Sequence, residues 1–334
     1  MDNRKLCVIG GDGIGPEVTR AAVAVLQSVT DDIDIIYADG GWQTFLDHGD
    51  SVPEATLQQI QDCGAALFGA VSSPSKKVAG YRSAILKIRQ ELELYANLRP
   101  IKSEWHPDPV KHDVDLLIVR ENSEGLYSGR ETAIEGEAIA EKVVTRQASL
   151  RIGQTAARVA DQRTRKVLIA HKANVLPISD GLFRDCVREA LAGPTESGNS
   201  IEASEGLADI VAYRLVACPE DFDVIVTTNM FGDILSDLAA FWCGGMGRAP
   251  SLNIGDSIAV AEPVHGSAPD IVGQDSADPS ATILALSLLA RFHWRDHQLA
   301  DQLESVVTDA TKQIALEDFS TEKFTALACH ASSA

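Results

Sequence analysis

The sequence is short of positive charge. Its 334 residues hold 29 lysines and arginines against 48 aspartates and glutamates, a net charge of −19. A surface of that sign repels nucleic acid and anionic membrane, and argues against both as partners. It leaves an anionic small molecule open, because a local group of arginines can override the overall sign. Cysteine is sparse and unpatterned: the six at 7, 63, 186, 218, 243 and 329 form no CxxC pair. Several lie in apolar runs, so they read as reduced, mostly buried thiols. No apolar run approaches the length of a membrane span. A strand begins almost at once, with no cationic leader and apolar stretch before it, which sets the expectation of a cytoplasmic protein.

What is present is enough apolar residue, 45 %, for one large domain or two ordinary ones. Short β-rich runs at 5–9, 33–38, 65–69, 115–119, 166–170 and 223–227 alternate with helical patterns. Those patterns cover 16–28, 54–61, 83–93, 143–160, 180–191, 205–216, 232–241, 279–291 and 297–313. Such alternation predicts an α/β protein with a substantially parallel sheet. The polar segment 192–204 reads as a loop, and 128–142 as an arm or hairpin.

Four stretches carry chemistry. "GGDGIGPE" at 10–17 joins the first strand to the first helix, where a dinucleotide fingerprint would sit. Its third glycine comes one residue early for GxGxxG, and Pro16 and Glu17 suit helix initiation, so a structural turn near a site is the better reading. Arg82, Arg89, Arg99 and Arg120 punctuate a helix and two extended segments, and arginine is the side chain that grips carboxylates in a plane. Asp233 and Asp237 are one helical turn apart after the strand "FDVIV". They share a face that either solvent or a hard divalent cation such as Mg²⁺ or Mn²⁺ would satisfy. Lys172 and Tyr127 follow strands, where open α/β sheets bind ligands, and are candidates for base and acid.

Taken together and in this order, "GDGIGPE", "LRP", "VREN", "HKANVL", "NMFGDILSDLAA", "GGMGRAPSLNIGD" and "EPVHGSAPDI" resemble the β-decarboxylating dehydrogenases. That family includes isocitrate, 3-isopropylmalate, homoisocitrate, tartrate and D-malate dehydrogenases. The resemblance covers almost the whole chain, and its last motifs are long enough to be specific. It implies two α/β domains around a cleft rather than a typical Rossmann domain. The larger, on the cofactor side, would be 1–98 plus 250–334. The smaller, 99–249, would serve dimerisation and substrate, with an intersubunit arm near 128–142.

The resemblance also implies the site. Asp233 and Asp237, with Asp209 from a neighbouring subunit, would hold Mg²⁺ or Mn²⁺. Lys172 would serve removal of the hydroxyl proton, and Tyr127 would protonate the enol carbon after CO₂ leaves. Ser83, Arg82, Arg89, Arg99, Arg120 and Asn174 would bind substrate. The cofactor would lie along Ile14, Glu262, His265, Gly266, Ser267, Ala268, Asp270, Ile271 and Asp278. Asp270 and Ile271 stand where NADP enzymes of the family carry lysine and tyrosine, which implies NAD. Asp278 departs from the family's asparagine and Ile210 from its polar or small residue. A homodimer, or a tetramer built from it, is the implied assembly. A silent regulatory paralogue is the rival reading, against which stands the retention of the lysine, the tyrosine and all three aspartates.

The resemblance further implies a substrate that is a malate substituted at C3, whose substituent would meet residues 72–89. "SSPSKKVAGYRS" is most similar to homoisocitrate dehydrogenases. Arg82 stands where isopropylmalate enzymes place a glutamate, and Ser83 matches a serine that isocitrate enzymes use. Ile85 and Leu86 are apolar, as in fungal homoisocitrate enzymes. The order of expectation is homoisocitrate, then isocitrate, then 3-isopropylmalate, D-malate or tartrate.

Overall fold

The structure, a computed structural model, describes residues 4–74, 76 and 78–331. The chain divides into two compact units, one of Met1–Leu94, Glu104–Val110 and Cys243–Ala334, the other of Tyr95–Ser103 and Lys111–Trp242. These crossings fall at 94/95 and 242/243, where the sequence reading placed them at 98/99 and 249/250. Residues 104–110 also belong with the terminal segments.

The first unit begins with β1 (Arg4–Gly11), α1 (Gly15–Val29), β2 (Ile33–Tyr37), α2 (Trp42–His48), α3 (Glu54–Cys63), β3 (Ala65–Ala70) and α4 (Ala84–Glu91). The chain then builds the second unit. Its elements are β4 (Ala96–Lys102), β5 (Asp115–Glu121), β6 (Glu131–Ile134), β7 (Glu137–Ala140), α5 (Arg146–Asp161), β8 (Lys166–His171), α6 (Ser179–Leu191), β9 (Glu202–Leu207), α7 (Ala208–Ala217), β10 (Val224–Thr227) and α8 (Asn229–Ala239). It returns to the first unit with β11 (Pro250–Ile254), β12 (Ala259–Pro263), α9 (Ser280–Leu288), α10 (His297–Gln313) and α11 (Thr321–Ala331). Among the described residues no helix is long and apolar enough to cross a membrane.

In the first unit the strands run β2-β1-β3-β12-β11, parallel except for the last pair. The central β3, "AALFGA", is buried along its whole length, as a strand covered on both faces must be. Cys7, Ile9, Phe68 and Val260 from the strands meet Leu57, Ile60, Ala84, Ile85 and Ile88 from α3 and α4 in one core cluster. All six cysteines are free thiols, and burial pushes Cys7 up to about 12 and Cys243 likewise. In the second unit the order is β4-β5-β10-β8-β9, again parallel but for β4 against β5.

Segment 192–204, expected to be loop, ends in a strand, and the helix expected over 205–216 starts at Ala208. Glu202–Leu207 pairs in parallel with Lys166–His171 as an edge strand. Its side chains are mostly exposed, so it has no apolar alternation to read. Strands β4, β11 and β12 and helices α2 and α11 also lacked a clear signal, whereas 131–140 forms the hairpin that the arm reading allowed.

The opening loop is a structural junction. Gly13 has φ +60°, and a Cβ there would lie 2.0 Å from the Ser267 carbonyl oxygen. The Ile14 amide donates to that same oxygen at 2.9 Å. Asp12 is buried, and its carboxylate accepts the backbone N–H groups of Trp42 (2.8 Å), Gln43 (3.1 Å) and Ser72 (2.8 Å). It therefore caps α2 and pins the segment that precedes α4. Replacing Asp12 with alanine orphans three donors, so chemical denaturation should show the variant destabilised by about 3 kcal/mol.

Candidate active site

In the second unit, α8 lies close against β5. A Cβ on Gly232 would come within 2.5 Å of the Arg120 Cγ, so glycine is what lets the helix approach the arginine. Arg120 is 1 % exposed at the end of its strand. Its Nε (3.1 Å) and second amino group (2.8 Å) donate to Asn229 Oδ1, and its first amino group pairs with Asp233. Arg99 on β4 is held by Asn97 Oδ1 (2.7 Å) and Ser236 Oγ (2.7 Å), and reaches Asp233 at 3.3 Å and Asp237 at 3.1 Å. Tyr127 donates its hydroxyl to Asp233 Oδ2 at 2.6 Å, and its ring centre is 5.1 Å from the Arg120 guanidinium carbon.

Two arginines, two aspartates and a tyrosine thus form one cluster. Burial and the bond to Asp233 push the Tyr127 phenol up, which keeps its proton on. Burial and the neighbouring Asp233 raise the Asp237 carboxyl, against the pull of Arg99. A pair of carboxylates one turn apart, one of them reluctant to ionise, is a donor set that suits a hard divalent cation. Among the described residues no group of three or more metal-type side chains is assembled within one chain. Asp209 is elsewhere, paired with Lys172 Nζ at 2.5 Å, and that hydrogen bond holds its carboxyl below the usual range. Asn174 is exposed in the turn after Lys172.

In the first unit, Arg89 donates to Glu262 Oε1 at 2.6 Å, and Asn253 Nδ2 reaches the same oxygen at 2.7 Å. The Arg89 Nε is buried with no hydrogen-bond partner among the described residues, as a group made to meet an anion would be. Arg82 is 48 % exposed and touches Glu91 at a long 3.5 Å. Ser83 stands at the N-cap of α4 without a side-chain capping bond. Ser75 and Lys77 of the homoisocitrate-like stretch lie outside the described residues.

The cofactor candidates form a second group in this unit. Ile14 packs with Val18 and Ala277, and Ala268 and Ile271 lean on that cluster. Ser267 Oγ meets Ser72 Oγ at 2.8 Å. Ala268 adopts φ +37°, a left-handed backbone rarely accepted outside glycine and common where a loop is shaped for function. His265 Nδ1 is 3.0 Å from the Gly266 carbonyl, while its Nε2 is buried with no hydrogen-bond partner among the described residues. Burial lowers its pKa. An unsatisfied buried nitrogen beside exposed Gly266 and Asp270 fits a loop that takes a polar ligand. Asp278, the departure from asparagine, has a structural partner. Its Oδ2 is 2.8 Å from the Nε of Arg248, itself 5 % exposed, and its Oδ1 accepts the Ser280 amide at 2.9 Å.

Residues 5–332 match the family model described as isocitrate/isopropylmalate dehydrogenase. The chain belongs to that family. It is 50 % identical over 286 residues to an isocitrate/homoisocitrate dehydrogenase of Thermus thermophilus, covering 85 % of this chain and 84 % of the relative. It is 42 % identical over 311 residues to a 3-isopropylmalate/3-methylmalate dehydrogenase of Methanocaldococcus jannaschii, covering 91 % and 90 %. A crystal structure of isocitrate dehydrogenase from Methylococcus capsulatus superposes with a TM-score of 0.90 at 35 % identity, over 99 % of this chain and 100 % of that one. The protein is accordingly a β-decarboxylating dehydrogenase acting on a hydroxyl group, with the fold of that family. Enzymes of the family use NAD or NADP with a divalent metal, and act on small carboxylates.

Sequence reasoning passed over Asn97, Asn229, Ser236 and Asn253, the polar residues that orient the arginines and Glu262. Asn229, Ser236 and Asn253 lie within the quoted motifs but carry no charge, and Asn97 precedes "LRP" in a strand with no clear signal. It also passed over Arg248. Removing Arg248 with methionine would leave the Asp278 carboxylate without its counter-charge. The single change should cost about 3 kcal/mol, and adding Asp278→Asn should recover part of that loss in a denaturation cycle.

Proposed function

We propose that the protein is an NAD- and divalent-metal-dependent homoisocitrate dehydrogenase, which converts homoisocitrate to 2-oxoadipate and CO₂. The observation that carries the chemistry is the cluster in which Tyr127, Arg99 and Arg120 converge on Asp233. Arg89, Arg99 and Arg120 are assigned to the carboxylates of the malate core. The proton of the 2-hydroxyl leaves through Lys172, which Asp209 orients. After hydride transfer, the bond from C3 to its carboxyl group breaks and its electron pair makes the enolate. Tyr127, kept protonated by its surroundings, then gives its proton to C3. When bound, NAD would supply the hydride acceptor. The cation, on Asp233, Asp237 and an Asp209 contributed by a second copy, would supply positive charge where negative charge develops.

For the third carboxylate, the support is Arg82. Its exposed contact with Glu91 is weak, and its guanidinium can be exchanged to a substrate carboxylate. Isocitrate is the second reading, favoured by Ser83 at the N-cap of α4 and by the paired substrate names of the Thermus thermophilus relative. The choice of NAD rests on Asp270, whose exposed carboxylate repels a 2′-phosphate and accepts from a ribose hydroxyl.

An uncovered apolar face supports a homodimer. On α7, Ile210, Tyr213 and Val216 are exposed, and on α8 so are Ile234, Leu238 and the following Phe241. The two helices pack together, so these side chains make one patch, with Tyr213 70 % and Ile234 58 % exposed. A patch of this kind on a soluble enzyme marks an interface. Asp209 precedes Ile210 at its rim, so a second copy seated there is placed to receive it. Ile210 is then an interface residue, which accounts for an apolar side chain at that position.

Initial rates of NADH formation with Mg²⁺ should be highest with homoisocitrate, lower with isocitrate, and lowest with 3-isopropylmalate, D-malate and tartrate. NADP should serve poorly. Preference for isopropylmalate would mean that Leu86 outweighs Arg82, since Ile85, expected beside the substrate, packs into the core of the first unit. Lys172→Met and Tyr127→Phe should each lower kcat by at least 100-fold with the fold intact by circular dichroism. Ile234→Asp should turn the dimer into monomer by light scattering and abolish turnover. A fully active monomer would refute the shared site.

A further inference from the structure

Lys172 must present its amine from a turn rather than from a helix or strand, and the turn is unusually constrained. Its carbonyl accepts the Val175 and Leu176 amides, both at 2.9 Å. The next amide, Ala173, donates to His171 Nδ1 at 3.1 Å. That ring nitrogen can accept because burial lowers the His171 pKa and keeps the imidazole neutral. The Lys172 amide itself donates to Asp180 Oδ2 at 2.7 Å.

Asp180 lies in the first turn of α6 and is 0 % exposed. Its other oxygen pairs with Lys142 Nζ, which also sits 4.9 Å from the ring centre of Phe231. Lys142 closes the segment that carries the β6–β7 hairpin. One buried carboxylate therefore joins the backbone of the lysine turn to the root of the hairpin. An ion pair this buried is not needed for stability alone, since apolar side chains of like volume commonly replace such pairs without loss. An acceptor for the Lys172 amide is something an apolar side chain cannot supply.

We propose that Asp180 is a positioning residue, which fixes the Lys172 turn by accepting its backbone amide. The inference rests on the role given to Lys172 above.

The test compares two double variants that both lack the ion pair and differ only in the acceptor. Lys142→Met with Asp180→Leu removes the acceptor. Lys142→Met with Asp180→Asn restores it through the amide oxygen. Each is assayed with Mg²⁺, NAD and the substrate that the wild type turns over fastest, and each is followed by hydrogen exchange of the peptide covering 170–176. The leucine variant should lose at least tenfold in kcat with KM within twofold of wild type, and its 170–176 amides should exchange at least tenfold faster. The asparagine variant should keep kcat within threefold and wild-type exchange. If the leucine variant does not fold, Asp180→Ser, too short to reach the amide, takes its place in the same background. Equal kcat and equal exchange in the two variants would overturn the proposal. Should Lys172→Met prove fully active, the reading of Lys172 fails. Exchange at 170–176 still decides separately whether Asp180 holds the turn.

Discussion

A guanidinium that is almost wholly removed from water has to be neutralised where it stands, and Arg120 sets that demand at the end of β5. Gly232 answers it by letting α8 come close enough for Asp233 and Asn229 to reach the charge. Once Asp233 is fixed, Tyr127 has its hydrogen-bond acceptor and Arg99 one of its two carboxylate partners. The raised Tyr127 pKa follows from the same burial. A substrate carboxylate or a cation arriving here would compete with contacts already made, so this cluster is organised before any ligand binds. Such preorganisation places the energetic cost in folding rather than in the reaction.

The first unit solves a different problem. It must hold three loops against one another, and backbone groups do much of this beside the small Ile14–Val18–Ala277 cluster. Asp12 does so with backbone amides from two of them, and the Ile14–Ser267 and Ser72–Ser267 bonds bring in the third. The glycines of the opening loop are therefore explained by backbone packing, with no phosphate required. Glu262 and Arg89 show the same economy, since one carboxylate oxygen serves both an arginine and Asn253.

Much of this was legible in the sequence because the chemistry-bearing residues sit at the ends of strongly apolar strands. "LLIVREN" and "IVTTNMFGD" announce both the strand and the charged residue beyond it, and the structure brings Arg120 and Asp233 together. Strand β9 was hidden because its side chains are mostly exposed, and charged residues in an exposed strand look like loop. Strands β11 and β12 were hidden by being brief and next to glycine and proline. The supporting polar residues were hidden for a deeper reason. Asp180 and Arg248 are buried by tertiary packing, and no local pattern marks a charge that will find its partner 38 or 30 residues away. The separation of Lys172 with Asp209 from Tyr127 with Asp233 was likewise a matter of geometry rather than of pattern.

That separation has a genetic meaning. Because Lys172 is paired with Asp209, the shared-site reading has each site take both from one copy, and Tyr127, Asp233 and Asp237 from the other. A copy disabled at Lys172 still offers an intact tyrosine half, and one disabled at Tyr127 still offers an intact lysine half. Two inactive alleles expressed together would then complement, because half of the sites in their mixed dimers would contain both good halves. On that reading, the apolar residues exposed on α7 and α8 would decide whether two such alleles complement, by deciding whether mixed dimers form.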